Sequence, residues 1–278
     1  MPFRIIRGTY HVRGYSPDGD SIRFMAHDEA RWNLLSGPPA KFNARRHAQL
    51  RLEAIDTLET HFGNTHQPLT LAIKALDFLL HTLGITGVRW DELRTVVTEA
   101  DDGVDGHIIA RAVEKNRRPV AFVYAGAPPE PDGASIFLDA DRVRQSLNYQ
   151  AIEAGLAYPT YYKGLFSDLR EAMSEAVRSA RDAQRELWAE DRTNRGFRVQ
   201  GLQSLSNEHV ILPKLFRRLA EYLEGGGSVV GFKKWLEVRE EGVWVLPAGH
   251  FTHFDTVIEE AADMIRMTES PENLIFEG

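Results

Sequence analysis

The segment Arg51-Leu52-Glu53-Ala54-Ile55-Asp56-Thr57-Leu58-Glu59 constrains this chain most, taken with Asp18-Gly19-Asp20-Ser21 some thirty residues upstream. Together they supply carboxylates and an arginine in a pattern suited to holding a hard cation against a phosphate. Asp-Gly alone is a weak signal, because it is common in hairpin turns. In a strand-like run Arg51, Ile55, Thr57 and Glu59 share one parity and Asp56 faces the other way. A strand that breaks into a loop at Asp56 lets Asp56 and Glu59 converge.

These two segments are followed by Glu114-Lys115-Asn116-Arg117-Arg118-Pro119-Val120-Ala121-Phe122-Val123-Tyr124 and by Leu187-Trp188-Ala189-Glu190-Asp191. In that order they resemble the staphylococcal-nuclease (thermonuclease) family, over about residues 1–195. The resemblance implies a five-stranded β-barrel of the oligonucleotide-binding type with packed helices, and calcium-dependent cleavage of DNA, RNA or both. Asp20 and Asp56 with the Thr57 carbonyl match the family's calcium ligands. Arg51 and Arg118 match its phosphate-clamping arginines, and Glu59 matches the residue that activates water. The same resemblance implies P–O5′ cleavage leaving 3′-phosphate and 5′-hydroxyl ends. Lys115 and Tyr161 are carried over as substrate contacts. Leu58 stands where the family usually has proline, and Asn116 where its best-known member has a tyrosine near the nucleotide.

The chemistry of the residue types agrees. A phosphodiester resists attack by water, so its oxygens must be neutralised, a water positioned and the leaving alkoxide stabilised. An all-oxygen ligand set suits calcium, or magnesium. Arginine forks pair with phosphate bidentately, and a carboxylate orients or deprotonates water. Taken singly, each residue is as well explained by a hairpin turn, a surface ion pair or a solvated charge. A nucleic-acid-binding barrel without chemistry is the contending class, and a nuclease effector regulated by a protein partner on the C-terminal part is the third.

Length leaves room for an appended unit. Residues 196–278 are expected as an acidic, mostly helical C-terminal extension, separable from the nuclease-like residues 1–195. Residues 200–278 carry 7 Lys+Arg against 13 Asp+Glu, which leaves 26 against 27 for the first 199. The chain has no cysteine, so disulfides and thiolate metal sites are excluded. No apolar run marks a signal peptide or a membrane span, and a cytoplasmic location is the expectation.

Alternation over residues 3–28 predicts strands and a hairpin, and residues 30–46 read as a basic loop. Helical spacing predicts helices at 69–83, 143–156, 168–188, 211–223 and 256–267. Strands are expected at 96–97, 107–112, 120–124 and 243–246. Tyr161 either stacks on a base or packs in the core. His250, His253 and Asp255 read as a polar loop before a helix rather than a zinc site.

Overall fold

Buried residues alternate with half-exposed ones along much of the strand Phe3–His11, the period of a sheet with one face in the core. The computed structural model describes residues 2–277 of a mixed α+β chain. Two compact units are present, Met1–Glu53 with Leu76–Ala151, and Ala54–Ala75 with Ile152–Gly278.

In the first unit Phe3–His11 pairs antiparallel with both Arg23–Ala26 and Val104–Val113. Val104–Val113 pairs antiparallel with Pro119–Ala125, and that strand runs parallel to Arg51–Leu52. Ala48–Gln49 lies against Arg23–Ala26. The same chain segment carries the ladder on, because Leu50 donates its N–H to the Ile22 carbonyl at 2.9 Å and Leu52 to that of Asp20 at 3.0 Å. Residues 48–52 are thus bonded along both edges, and the sheet is barrel-like and nearly closed.

Tyr10 fills the interior of this unit and its hydroxyl donates to the carbonyls of His107 and Tyr124, at 2.7 and 3.0 Å. A Cβ at Gly106 would meet the Tyr10 ring at 2.3 Å, so glycine is required there. Tyr10 and Phe24 are both fully buried with ring centres 5.0 Å apart. Burying each such side chain contributes about 1.5–3 kcal/mol.

Several expected elements form where the pattern put them. Leu69–Leu83 is helical, as are Pro213–Leu223 and Ser167–Asp182, and strands occupy Val97–Asp101, Val104–Val113, Pro119–Ala125 and Gly242–Val245. The strand Thr86–Trp90 was not anticipated. Others differ for identifiable reasons. Residues 30–46 include a short 3-10 helix, Glu29–Leu34, started by the Asp28 carboxylate accepting the Ala30 N–H, and its Trp32 is buried. The single helix expected over 143–156 is two, Ala140–Arg144 and Leu147–Glu153. Ser146 interrupts it: its hydroxyl donates to the Val143 carbonyl and accepts from the Tyr149 N–H, ending one helix and capping the next.

In the second unit the long helix expected to reach residue 188 stops at Asp182, because Gln184 and Glu186 take positive φ, and resumes as Leu187–Glu190. The expected helix over 256–267 is a β-hairpin, Ile258–Ala261 against Met264–Met267. Its turn holds Ala262 at positive φ, and Ile258, Ile265 and Met267 are buried in a period-two pattern that the helical count had absorbed. Residues 196–277 are therefore a mixture of helices and strands rather than mostly helical.

Residues 152–191 share one compact unit with 196–278, so the expected seam at 195 is not where the units part. The C-terminal strand Leu274–Phe276 pairs in parallel with Tyr161–Tyr162 and antiparallel with Gly242–Val245. Arg181 forks the carboxylate of buried Glu272 at 2.6 Å on each oxygen and lies 4.5 Å over the Trp188 ring. Asn194 donates to the carbonyls of Met267 and Glu269.

A chain truncated after Asn194 loses the strand pairing with Tyr161–Tyr162, the Glu272 carboxylate and the carbonyls that Asn194 binds. It is expected to lack cooperative thermal unfolding by circular dichroism and to be cleaved rapidly by protease across residues 152–194. A soluble truncated protein with a sharp melt would show that residues 1–194 fold alone.

A second test concerns acid stability of the first unit. His47 is buried, its Nδ1 is bonded to the Tyr15 hydroxyl at 3.0 Å, and its ring stacks on His11 at 4.0 Å. Burial first, then the neighbouring His11, Arg45 and Arg23, push its pKa from 6.5 down to about 4, against the pull of Asp102. A depressed base pKa means the unfolded chain takes up the proton first. The stability His47 contributes is full above about 6.5 and is lost as pH falls toward about 4. His47→Gln should flatten the pH dependence of the melting temperature across that window. An unchanged acid limb would remove His47 as its source.

Candidate active site

The run 51–59 is not one strand. Arg51–Leu52 and Ile55–Asp56 are separate, with Glu53 and Ala54 in a turn and Ala54 at φ 69°. The break falls two residues before the expected one, and the two halves belong to different compact units.

In the first unit the turn Asp18-Gly19-Asp20-Ser21 presents the Asp20 carbonyl to the Leu52 N–H. Arg51 stands opposite Val120 in the parallel pairing, and Arg118 lies two residues before Val120. Asp20, Arg51 and Arg118, scattered over a hundred positions of sequence, therefore sit on neighbouring backbone segments. Arg118 is engaged: its Nε donates to Glu114 Oε1 at 3.0 Å. Glu114 also accepts the Asn116 and Arg118 amide N–H groups, and tightens the turn between the two long strands. Burial favours the neutral Glu114 carboxyl, but the Asn116 amide and the Arg118 guanidinium outweigh it and hold the pKa below the usual range. Lys115 is exposed at the tip of this turn.

In the second unit Asp56 pairs with Tyr158 across the strands Ile55–Asp56 and Tyr158–Pro159, and is 5% exposed. Arg217 forks it, Nη1 to Oδ1 at 2.9 Å and Nη2 to Oδ2 at 2.8 Å, while Nη1 also donates to Glu59 Oε1 at 2.6 Å. Burial works against the charged guanidinium. Attraction to Asp56, the hydrogen bonds to it, and then Glu59 overcome that and hold the Arg217 pKa well above the ordinary arginine value.

The helix Pro213–Leu223 explains how Arg217 arrives there. Leu215, Phe216, Leu219, Ala220 and Leu223 are buried along its apolar side. Lys214, Arg217, Arg218 and Glu221 follow the three-and-four spacing of a second stripe. Each cation of that stripe has a carboxylate: Lys214 bonds Glu241 at 2.9 Å, and Arg218 bonds Glu241 and Glu221. Gln67, fully buried, registers the loop against this helix. It exchanges hydrogen bonds with the Glu59 backbone and donates its side-chain amide to the Ile211 carbonyl at 2.8 Å. Phe62 packs edge-on to Phe216.

Asp56 and Glu59 thus converge as expected, but on a guanidinium. As arranged, this pair does not fit a divalent cation, because both Asp56 oxygens and one of Glu59 are hydrogen-bonded to Arg217. Among the described residues no group of three or more His, Asp or Glu side chains is placed to hold a metal ion. That includes His250, His253 and Asp255; the two histidines lie on the strand His250–His253 and Asp255 in a 3-10 turn. Thr57 is buried beside Asp56.

Tyr161 is fully buried with its hydroxyl bonded to Ser174 at 2.9 Å, so of its two expected roles packing is the one realised. Arg217 and Gln67 were not singled out from sequence. An arginine on an amphipathic helix looks solvated, and only the carboxylates it meets distinguish it. Comparison with protein-family models and with curated proteins finds no match.

Arg217→Met leaves Asp56 and Glu59 without their cation, and removing one partner from a buried ion pair costs about 3–5 kcal/mol. Urea unfolding should show a loss of this order, largely restored in the triple variant Asp56→Asn, Glu59→Gln, Arg217→Met. A loss below about 1 kcal/mol would mean that the fork is a surface pair.

Proposed function

We propose that this chain is a phosphodiesterase acting on DNA or RNA, built on an oligonucleotide-binding-type barrel. The observation that carries the reading is the gathering of Asp20, Arg51 and Arg118 by the Leu52-to-Asp20 hydrogen bond and the Arg51–Val120 pairing. Two arginines on adjoining segments suit the anionic oxygens of one phosphate, and their forks neutralise charge that grows toward the transition state. By the sequence resemblance alone, Glu59 is the group assigned to take a proton from the attacking water. The resemblance in sequence supports hydrolysis at the P–O5′ bond with calcium as cofactor. Calcium held by Asp56 would require Arg217 to leave that carboxylate. No step is assigned to the cation.

A second reading is favoured by Arg217 itself. A guanidinium fixed on Asp56 and Glu59 supplies the positive charge that a metal would otherwise bring, and a barrel keeping its arginines without metal binds phosphate but does not cleave it. A C-terminal protein partner remains part of the proposal only as a regulator. Among the described residues no helix is long and apolar enough to cross a membrane.

Purified full-length protein incubated with labelled single- and double-stranded DNA and RNA, with calcium, magnesium or chelator, separates the readings. The phosphodiesterase reading expects metal-dependent products with 3′-phosphate ends. Arg51→Lys and Arg118→Lys should each slow turnover by about 10³, the order lost when catalytic arginines of phosphoryl transfer are removed. Glu59→Gln should abolish it in a folded protein. Binding that depends on Arg51 without any product, in every metal condition, would establish the second reading.

A further inference from the structure

Three side chains stand in a row across the first unit's sheet. His11 is opposite Arg23, and Arg23 is opposite Gln49. Directly opposed residues present their side chains to the same face. All three line a cavity of about 290 Å³ that Tyr15 and Ser16 help to enclose. That volume lies near the lower limit for small-molecule sites and suits a compact polar ligand.

Arg23 sets the character of this cavity. Its guanidinium lies 5.1 Å from the centre of the Tyr15 ring, and its Nε is buried without a hydrogen-bond partner. Burial pulls its pKa below the ordinary arginine value, and Tyr15 is the group acting in the opposite direction. Among the described residues no carboxylate forms an ion pair with it. Other arginines of this unit are matched: Arg31 by Asp28 and Asp132, Arg46 by Glu29, Arg142 by Glu130. A half-buried guanidinium without a counter-ion is costly unless an anion completes it.

The surroundings are fixed and carry donors. The Tyr15 hydroxyl accepts from Asn43 Nδ2 at 2.7 Å and bonds His47 Nδ1, and Arg45 lies 5.6 Å from the same ring. The loop is tied down at both ends of Tyr15, by Gly14 N–H to the Val97 carbonyl and Val97 N–H to the Tyr15 carbonyl. The neighbouring carboxylate, Asp102, is not part of the lining. It accepts the Val12 and Arg13 N–H groups at 2.9 Å and stands 3.8 Å from His11 Nδ1. Thr9 Oγ1 meets the other ring nitrogen of His11 at 2.8 Å.

We propose that this cavity is a binding site for a phosphate monoester group, with the Arg23 fork on two phosphate oxygens and Gln49 and Ser16 supplying neutral donors. A planar fork matches two oxygens of one phosphate, and the absence of carboxylates from the lining removes the usual repulsion. The group belongs either to a free nucleotide-like ester or to the phosphorylated end of a strand. None of these residues is used in the proposed phosphodiesterase chemistry, so the two readings stand or fall separately.

Titration of the full-length protein by calorimetry with inorganic phosphate, then with a nucleoside monophosphate, tests it. Saturable binding is expected, weakened about tenfold or more in Arg23→Gln, the scale of a lost charge-assisted hydrogen bond. Gln49→Ala, a milder change, should weaken it less, and thermal melts establish that both variants are folded. Short oligonucleotides with and without a terminal phosphate identify the source. Preference for the phosphorylated strand assigns the site to strand ends, and tighter binding of the free monophosphate assigns it to a small ester. No saturable binding by the wild type at millimolar phosphate would overturn the proposal. So would unchanged affinity in folded Arg23→Gln, or in folded Gln49→Ala should Arg23→Gln not fold.

Discussion

A guanidinium removed from water has to be paired, and the second unit is organised around that requirement at Arg217. Its fork takes both oxygens of Asp56 and one of Glu59. Those two carboxylates belong to a loop and a short strand whose geometry the fork helps to define. Gln67 ties the same loop to the backbone leading into the Arg217 helix. The apolar side of that helix, from Leu215 to Leu223, brings the cation inward by burying side chains, and the carboxylates then decide whether the cation is tolerable. Hydrophobic packing supplies the drive and ion pairing the selectivity.

For the proposed metal-dependent reading the consequence is a competition. A guanidinium and a divalent cation ask for the same carboxylate oxygens, but a guanidinium is planar and directional while calcium accepts irregular shells of six to eight oxygens. Where the arginine is held by a buried helix face, the cation must overcome the ion pairing and the packing together. The resemblance of the run 51–59 to a metal-dependent nuclease therefore does not by itself decide between chemistry and binding. The residue that bears on the choice lies more than 150 positions downstream.

This separation explains what the sequence disclosed and what it did not. Periodicity located Leu69–Leu83 and the strands around Ile108 and Phe122, because burial on one face leaves a local record. The convergence of Asp56 and Glu59 was legible from their spacing and chemistry. Their partner was not, since Arg217 follows the spacing of any solvated helical stripe. Errors also cluster where one residue changes the backbone. Ser146 divides a helix, Gln184 at positive φ stops another, and Ala262 at positive φ turns a run of apolar residues into a hairpin. Window-averaged hydrophobicity does not register such single-residue decisions.

The compact units also divide the chain elsewhere than at 195, for a related reason. Family-like motifs end by Asp191, and the acidic charge begins soon after, so composition places a seam there. Stability follows contacts rather than composition. The Thr193 hydroxyl accepts the Leu212 N–H and itself donates to the Asp191 carboxylate, which also accepts the buried Tyr158 hydroxyl at 2.6 Å. Tyr158, Asp191, Thr193 and Leu212 are all buried, so this chain of polar groups is satisfied within the interior. Residues on both sides of 195 are thus needed to bury it. An acidic segment that looks appended by charge is, by hydrogen bonding, part of the interior it adjoins.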